Sequence, residues 1–544
     1  MVQDESSSPL PADRQPPLVV QPQLQPEATP FADSVSRTGA RTLTGSVWVS
    51  LQSVSPYLFT LLVSIVAARV LGPSGMGRQS YISFIVLATI TLCSAGFPAA
   101  LPRFVAELIG AGREGVLRSL SSWAWRVEAV AAGIAFGLLA ITAAAGATPR
   151  AAWIFGGIAA AASVLHKVPA TMLSGAQRWR LNSAISLVLG VLGTAATVIV
   201  LLLGGGITGI FAVLAVTNVL MVVGAWLLWR RLAAQITAPK EPVGTVGAEL
   251  IRFAAAASIP VFTNFLIFQR SEFFFLNHYS TDAQIALYSI AFSVYASALA
   301  LPNAIGGTFA PAVATLVGAK AHDRIRSGYA RGLRLLLLVT LPVTAAALVF
   351  APPLVHLVYG HEYAGAGKIL LVLLAPLPLV PLGGLSTGLL LGYRRVRIPV
   401  VVGVAAGLVD IGLAALFVPY LDAMGAAIAN VGAQTVAAVG AIVCCVRLVG
   451  GVDLAPRQLV RLVAASAVPA GIAQLVLEVS DGPGSFALAL VLGVAVFAVL
   501  AALLRVLPRE DADWIAGAVA GRSGGRRITA VCRRLSGQSL VPAR

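Results

Sequence analysis

The stretch Val66–Val86, VAARVLGPSGMGRQSYISFIV, decides how the chain is read. An apolar run stops at Arg69, turns through Leu-Gly-Pro and two further glycines, and becomes apolar again. Arg69 stands where a membrane helix finishes, so the turn separates two segments that each want lipid. Working outward, the same pattern returns along nearly the whole length.

The chain has 544 residues, of which 58% are hydrophobic and 11% charged, with a mean hydropathy of +0.88. A soluble protein of this size needs far more polar surface to cover its core. Apolar runs of about 20 residues, each long enough to cross roughly 30 Å of hydrocarbon, predict an all-α polytopic membrane protein. A barrel would show short alternating strands instead. The net charge of +16 fits basic loops beside anionic lipid head groups better than nucleic acid. Cys93, Cys444, Cys445 and Cys532 have no metal-ligand spacing and imply neither a zinc site nor a disulfide framework.

Fourteen spans are expected, at about 44–70, 80–106, 119–146, 151–173, 182–204, 207–231, 248–277, 283–317, 330–358, 364–392, 397–420, 424–449, 458–478 and 484–507. Residues 1–43, rich in Pro, Gln and Ser, are expected to be disordered. They lack the basic start and apolar core of a signal peptide. The tail 508–544 is basic, and its segment around Trp514 reads either as an interfacial helix or as a solvated tail.

The loops check this count. Arg113, Arg118, Arg178, Arg180, Arg230, Arg231, Lys240, Arg324, Arg326, Arg394, Arg395, Arg397 and Arg457 fall on one side. The other side carries little beyond Arg78, Arg150 and Lys368. The positive-inside rule then places both termini in the cytoplasm of a cell-membrane protein.

The halves echo each other. LGPSGMGRQSYISF has a partner in HYSTDAQIALYSIAF, FPAALPRFVAELIG in GTFAPAVATLVG, and LSGAQRWRLNSAISLVLGVLG in LLGYRRVRIPVVVGVAAGLVD. This spacing predicts two six-helix bundles, 44–231 and 248–449, joined by a linker at 232–247 and followed by two further helices at 450–507. Paired bundles with a cavity between them suit a transporter that rocks.

VAARVLGPSGMGRQSYISF resembles the first-helix signature of the polysaccharide (Wzx-like) flippases, within the multidrug/oligosaccharidyl-lipid/polysaccharide exporter superfamily. LVYGHEYAGAGKILLVLLAPLPL, LSGAQRWRLNS and LLGYRRVRIP resemble further segments of the same family. The resemblance implies a V-shaped, fourteen-helix exporter. It would move a polyprenyl-pyrophosphate-linked oligosaccharide to the outer leaflet for cell-surface polysaccharide assembly, alongside other assembly proteins. A cation-coupled multidrug antiporter of the same superfamily is the alternative. A membrane glycosyltransferase or polymerase is a third reading, disfavoured by the short outer loops.

A pyrophosphate head group calls for arginine, whose planar fork gives parallel charge-assisted hydrogen bonds. A charge at mid-bilayer costs about 2.5–3.5 kcal/mol on insertion scales, so intramembrane arginines need a reason. Arg69, Arg270, Glu272, Arg103 and Arg126 are the candidates for a cationic cavity. Arg69 also reads as snorkelling to the interface, and Arg103 as an i, i+4 partner of Glu107. Arg126 and Glu128, two apart, do not share a helical face. His166-Lys167 reads as an interface marker. Asp410 is the candidate for coupling to H+ or Na+, or serves as a structural hydrogen-bond group; the membrane potential is a further source of energy. Pro98, Pro102, Pro302 and Pro311 are candidate hinges. Gly133–Gly137 and Gly403–Gly407 have the spacing of close helix packing. No nucleotide loop or HExxH motif is present, and no enzyme, cofactor or metal is expected.

Overall fold

A computed structural model describes residues 38–268, 271–307, 313, 317, 322–479, 482–519 and 525–537. The segment expected to be disordered lies outside these residues up to position 37. Its last six residues are already helical, since the first helix begins at Thr38.

That helix, α1 (Thr38–Ser94), runs through the opening motif without a loop. It bends at Gly72, whose φ of 68° and ψ of 176° are open to a residue without a Cβ. Pro73 follows, suited to the first turn of the resumed helix. Then come α2 (Phe97–Gly110), α3 (Glu114–Ala144), α4 (Arg150–Gly175), α5 (Trp179–Leu202) and α6 (Gly206–Ala233). The second half holds α7 (Thr245–Phe268), α8 (Phe273–Tyr279), α9 (Asp282–Gly307), α10 (His322–Tyr359), α11 (Ala364–Leu373), α12 (Val380–Gly392) and α13 (Arg397–Leu448). It closes with α14 (Pro456–Val479), α15 (Pro483–Leu503), α16 (Arg509–Val519) and α17 (Gly525–Ser536). No strand occurs among the described residues.

The expected spans fall largely on helix where the residues are described; most of 308–317, the end of the eighth, lies outside them. Among the described residues, ten helices are long and apolar enough to cross a membrane. Two of these, α1 and α13, are double spans, the latter bent at Asp422 with φ 49°. Three expected spans are broken: 80–106 at Ala95-Gly96 between α1 and α2, 248–277 by the turn at Ser271-Glu272 ahead of α8, and 364–392 into α11 and α12 around the prolines of LAPLPL. A proline lacks the N–H and crowds the preceding turn, which ends a helix there.

In the first half, α3, α4 and α6 share a core of Leu139, Trp153, Val164 and Phe211 with Ile82 of α1. Trp229 of α6 donates its indole N–H to Ser121 Oγ of α3 at 2.8 Å. In the second half, Tyr329 and Leu333 of α10 pack with Leu385 and Leu389 of α12, Cys445 of α13 and Leu462 of α14. The largest apolar cluster crosses between the halves: Ala67, Met76 and Phe84 of α1 meet Phe273, Ile285, Tyr288 and Ala291 of α8 and α9.

The glycine pairs divide. A Cβ at Gly403 would lie 2.3 Å from Thr263 Cγ2 of α7, a close helix approach. Nothing lies within 4 Å of one at Gly133 or Gly137, so that pair faces open space instead of a neighbouring helix.

Candidate functional site

Between α1, α7, α9, α12 and α13 lies a cavity of about 950 Å³. α1 contributes Thr60, Ser80, Ser83 and Phe84; α7 contributes Thr263 and Asn264; α9 contributes Ser293, Tyr295 and Ser297; α12 and α13 contribute Thr387 and Gln434. Its described lining is mostly apolar, with Leu, Val, Ala, Pro and aromatic residues around these hydroxyls and amides, and carries no charged side chain.

A buried polar chain leaves this cavity. Tyr295 donates its phenol O–H to Gln434 Oε1 at 2.5 Å. Gln434 Nε2 donates to Asn430 Oδ1, one turn away on α13. Asn430 Nδ2 donates in turn to Glu272 Oε1 at 2.8 Å. Glu272 precedes α8 and is fully buried. Its carboxyl group contacts that of Asp410 on the other arm of α13. Ser271 Oγ donates to Asp410 Oδ2 at 2.5 Å. Glu272 Oε2 and Asp410 Oδ1 receive no donor from any described residue. Two bare carboxylates held this close in a buried setting repel each other.

The turn at Ser271-Glu272 ahead of α8 and the bend at Asp422 make this arrangement possible. The turn brings Ser271 and Glu272 against α13, and the bend lays the Asp410 arm beside the Asn430 arm.

Beyond the cavity, α1 meets the second half in direct contacts. A Cβ at Gly77 would lie 1.6 Å from the Asp282 carbonyl oxygen, so only glycine admits this approach. Arg78 pairs with Asp282 at 3.4 Å. Tyr363 donates to the Ala68 carbonyl at 2.8 Å. Arg69 Nε and Nη2 donate to the carbonyls of Val358 and Leu357 at 2.9 and 3.2 Å. These carbonyls belong to the last turn of α10, where a helix lacks partners and favours a cation.

Of the residues read from sequence, Glu272 and Asp410 meet. Arg69, Arg103 and Arg126 do not line the cavity, and each has another partner. Arg69 caps α10. Arg103 pairs with Glu107 at 2.8 Å on an exposed face and lies over the Phe253 ring. Arg126 is exposed and donates to Ser122 O. Arg270 and Pro311 lie outside the described residues. Pro98 opens α2 rather than kinking it, Pro102 lies inside α2, and Pro302 falls within α9. His166-Lys167 turns inward: His166 Nε2 is buried without a partner, and Lys167 interacts electrostatically with the buried Glu128.

Sequence reading passed over Ser271, Tyr295, Asn430 and Gln434. The signal was the i, i+4 spacing of Asn430 and Gln434 inside an otherwise apolar run, since intramembrane polar groups seek partners.

Residues 260–416 match the MatE family model. No curated protein matches the chain by sequence. The fold is shared with a solved structure of the lipid II flippase MurJ in an inward closed conformation. That match has 13% identity and a TM-score of 0.59, covering 85% of this chain and 98% of that one. It is also shared with an inward-facing multidrug resistance MATE family transporter of the MOP superfamily, at 16% identity and TM-score 0.57, covering 74% and 98%. A MATE structure in complex with MaL6 matches at 16% identity and TM-score 0.56, covering 75% and 96%. The chain thus shares its fold with these solved structures.

Proposed function

We propose that the chain is a flippase that moves a polyprenyl-pyrophosphate-linked oligosaccharide from the cytoplasmic to the outer leaflet of the cell membrane. The observation that carries this reading is the uncharged cavity, whose mainly apolar lining holds a set of hydroxyls, amides and aromatic rings. A sugar presents hydroxyls that both donate and accept, and Ser, Thr, Tyr, Asn and Gln answer in kind. The lipid tail needs no pocket, since it stays in the bilayer while the head group passes. Arg69 and Arg270 are the proposed partners of the pyrophosphate, with Arg69 leaving the α10 carbonyls as the halves part. The two halves are proposed to act as rigid bundles, 44–231 and 248–449. Glu272 and Asp410 are proposed to couple the motion to H+ or Na+.

The buried carboxyl pair also favours a second reading, a cation-coupled drug antiporter. Purified protein in liposomes, with a fluorescent lipid-linked sugar on one leaflet and a quencher outside, separates the two. Movement faster than in protein-free vesicles supports the flippase. Movement no faster, across several pyrophosphate-linked glycans and with a potential imposed, overturns it. Cation-driven drug efflux from the same vesicles would put the antiporter in its place.

A further inference from the structure

We propose that the outward face of α17 is a binding surface for anionic lipid head groups, holding the tail on the membrane at the end of α10. The tail is docked. Leu507 donates its backbone N–H to the Leu535 carbonyl at 3.2 Å. Leu507, Ala512 and Cys532 form a small core with Leu335 and Leu338 of α10. Asp511, fully buried, receives Arg334 Nη2 at 2.7 Å and Arg331 Nε at 3.0 Å. The Arg331 guanidinium also lies over the Trp514 ring.

Docking consumes only one face of α17. Cys532 and, in part, Leu535 are taken up by the core, while Arg527, Ile528, Val531 and Arg534 stay exposed. Spaced i, i+1, i+4 and i+7, these four form one stripe. Ile528 is 46% exposed and Val531 55%. The helix contains four arginines and no acidic residue.

Position and charge select the occupant. Leu507, which holds the end of α17, lies four residues beyond the end of the last apolar helix at Leu503. That distance is at most about 14 Å of chain, within reach of the head-group layer. Cations that interact with anionic head groups, flanking apolar side chains that enter the interface, are the composition of a surface-bound helix.

The test uses the full chain in nanodiscs, with native cysteines replaced and a fluorophore at Val531→Cys. Discs contain phosphatidylcholine alone or mixed with phosphatidylglycerol, with a nitroxide-bearing lipid as one quencher and aqueous iodide as the other. The expected result is lipid quenching that rises severalfold with phosphatidylglycerol, falls with salt, and is lost in Arg527→Gln/Arg534→Gln. The Arg527→Lys/Arg534→Lys variant, which keeps the charge, should retain it. Equal lipid quenching in both disc types overturns the proposal. So does protection from iodide by an added RNA oligomer in phosphatidylcholine discs, which would assign the face to a soluble polyanion.

Discussion

The Asn430 amide donates to the Glu272 carboxylate at 2.8 Å across 158 residues of sequence. Through Gln434 and Tyr295 this single bond joins the cavity to a buried carboxyl pair. The pair proposed for coupling is thus hydrogen-bonded through to groups that face the cavity. A buried group stripped of its partner costs about 1–3 kcal/mol. Asn430→Ala is expected to lower thermal stability in detergent by that amount, measured against the wild-type melt.

Glu272→Gln and Asp410→Asn keep shape and hydrogen-bonding capacity while removing the charge. Each should fold, yet lose the response of transport to an imposed pH or Na+ gradient, with a rate at least about tenfold lower, or ~1.4 kcal/mol. The liposome assay with and without a gradient checks this. Full gradient response in the double variant would remove the pair from coupling.

Gly77→Ala places a methyl group where the Asp282 carbonyl already stands. Overpacking of this kind costs about 1–3 kcal/mol. The variant should favour states in which the halves have parted near Asp282, seen as a longer spin-label distance between α1 and α9. Gly133→Ala, with nothing within 4 Å, should leave both stability and distance unchanged.

Asp511→Asn leaves Arg331 and Arg334 facing a neutral amide in a buried setting. Breaking a buried ion pair costs about 3 kcal/mol or more. Trypsin should then cut the tail arginines roughly a hundredfold faster while the spans stay protected, read from fragment masses over time.

The side assigned to each loop is open to labelling. Gly205, Gly482 and Arg395 are exposed. In a background without native cysteines, Gly205→Cys or Gly482→Cys should react with an impermeant thiol reagent from outside, and Arg395→Cys should not. The reverse pattern would invert the orientation read from the arginine-rich loops.

The all-helical, many-times-spanning character of the chain and the order of its apolar runs were legible in the sequence alone, because hydrocarbon thickness demands about 20 apolar residues per crossing and each run is local. It likewise singled out Glu272 and Asp410, since an acid inside an apolar run needs a reason wherever the chain goes. The LGPSG motif was legible as a bend, through the φ that Gly72 alone among its neighbours adopts freely. The partners of the charges were a different matter. Arg69 looks the same in sequence whether it binds phosphate, snorkels or caps α10; the choice lies with carbonyls of Val358 and Leu357, 289 and 288 residues away. Glu272 and Asp410 became a pair because a turn at Ser271-Glu272 precedes α8 and α13 bends at Asp422. The fold of the tail over Asp511 was equally hidden, since its basic composition is compatible with solvent, lipid or protein. Local hydropathy is written residue by residue. Which buried polar group meets which is decided by the bends that carry distant segments together, and only the tertiary structure holds that geometry.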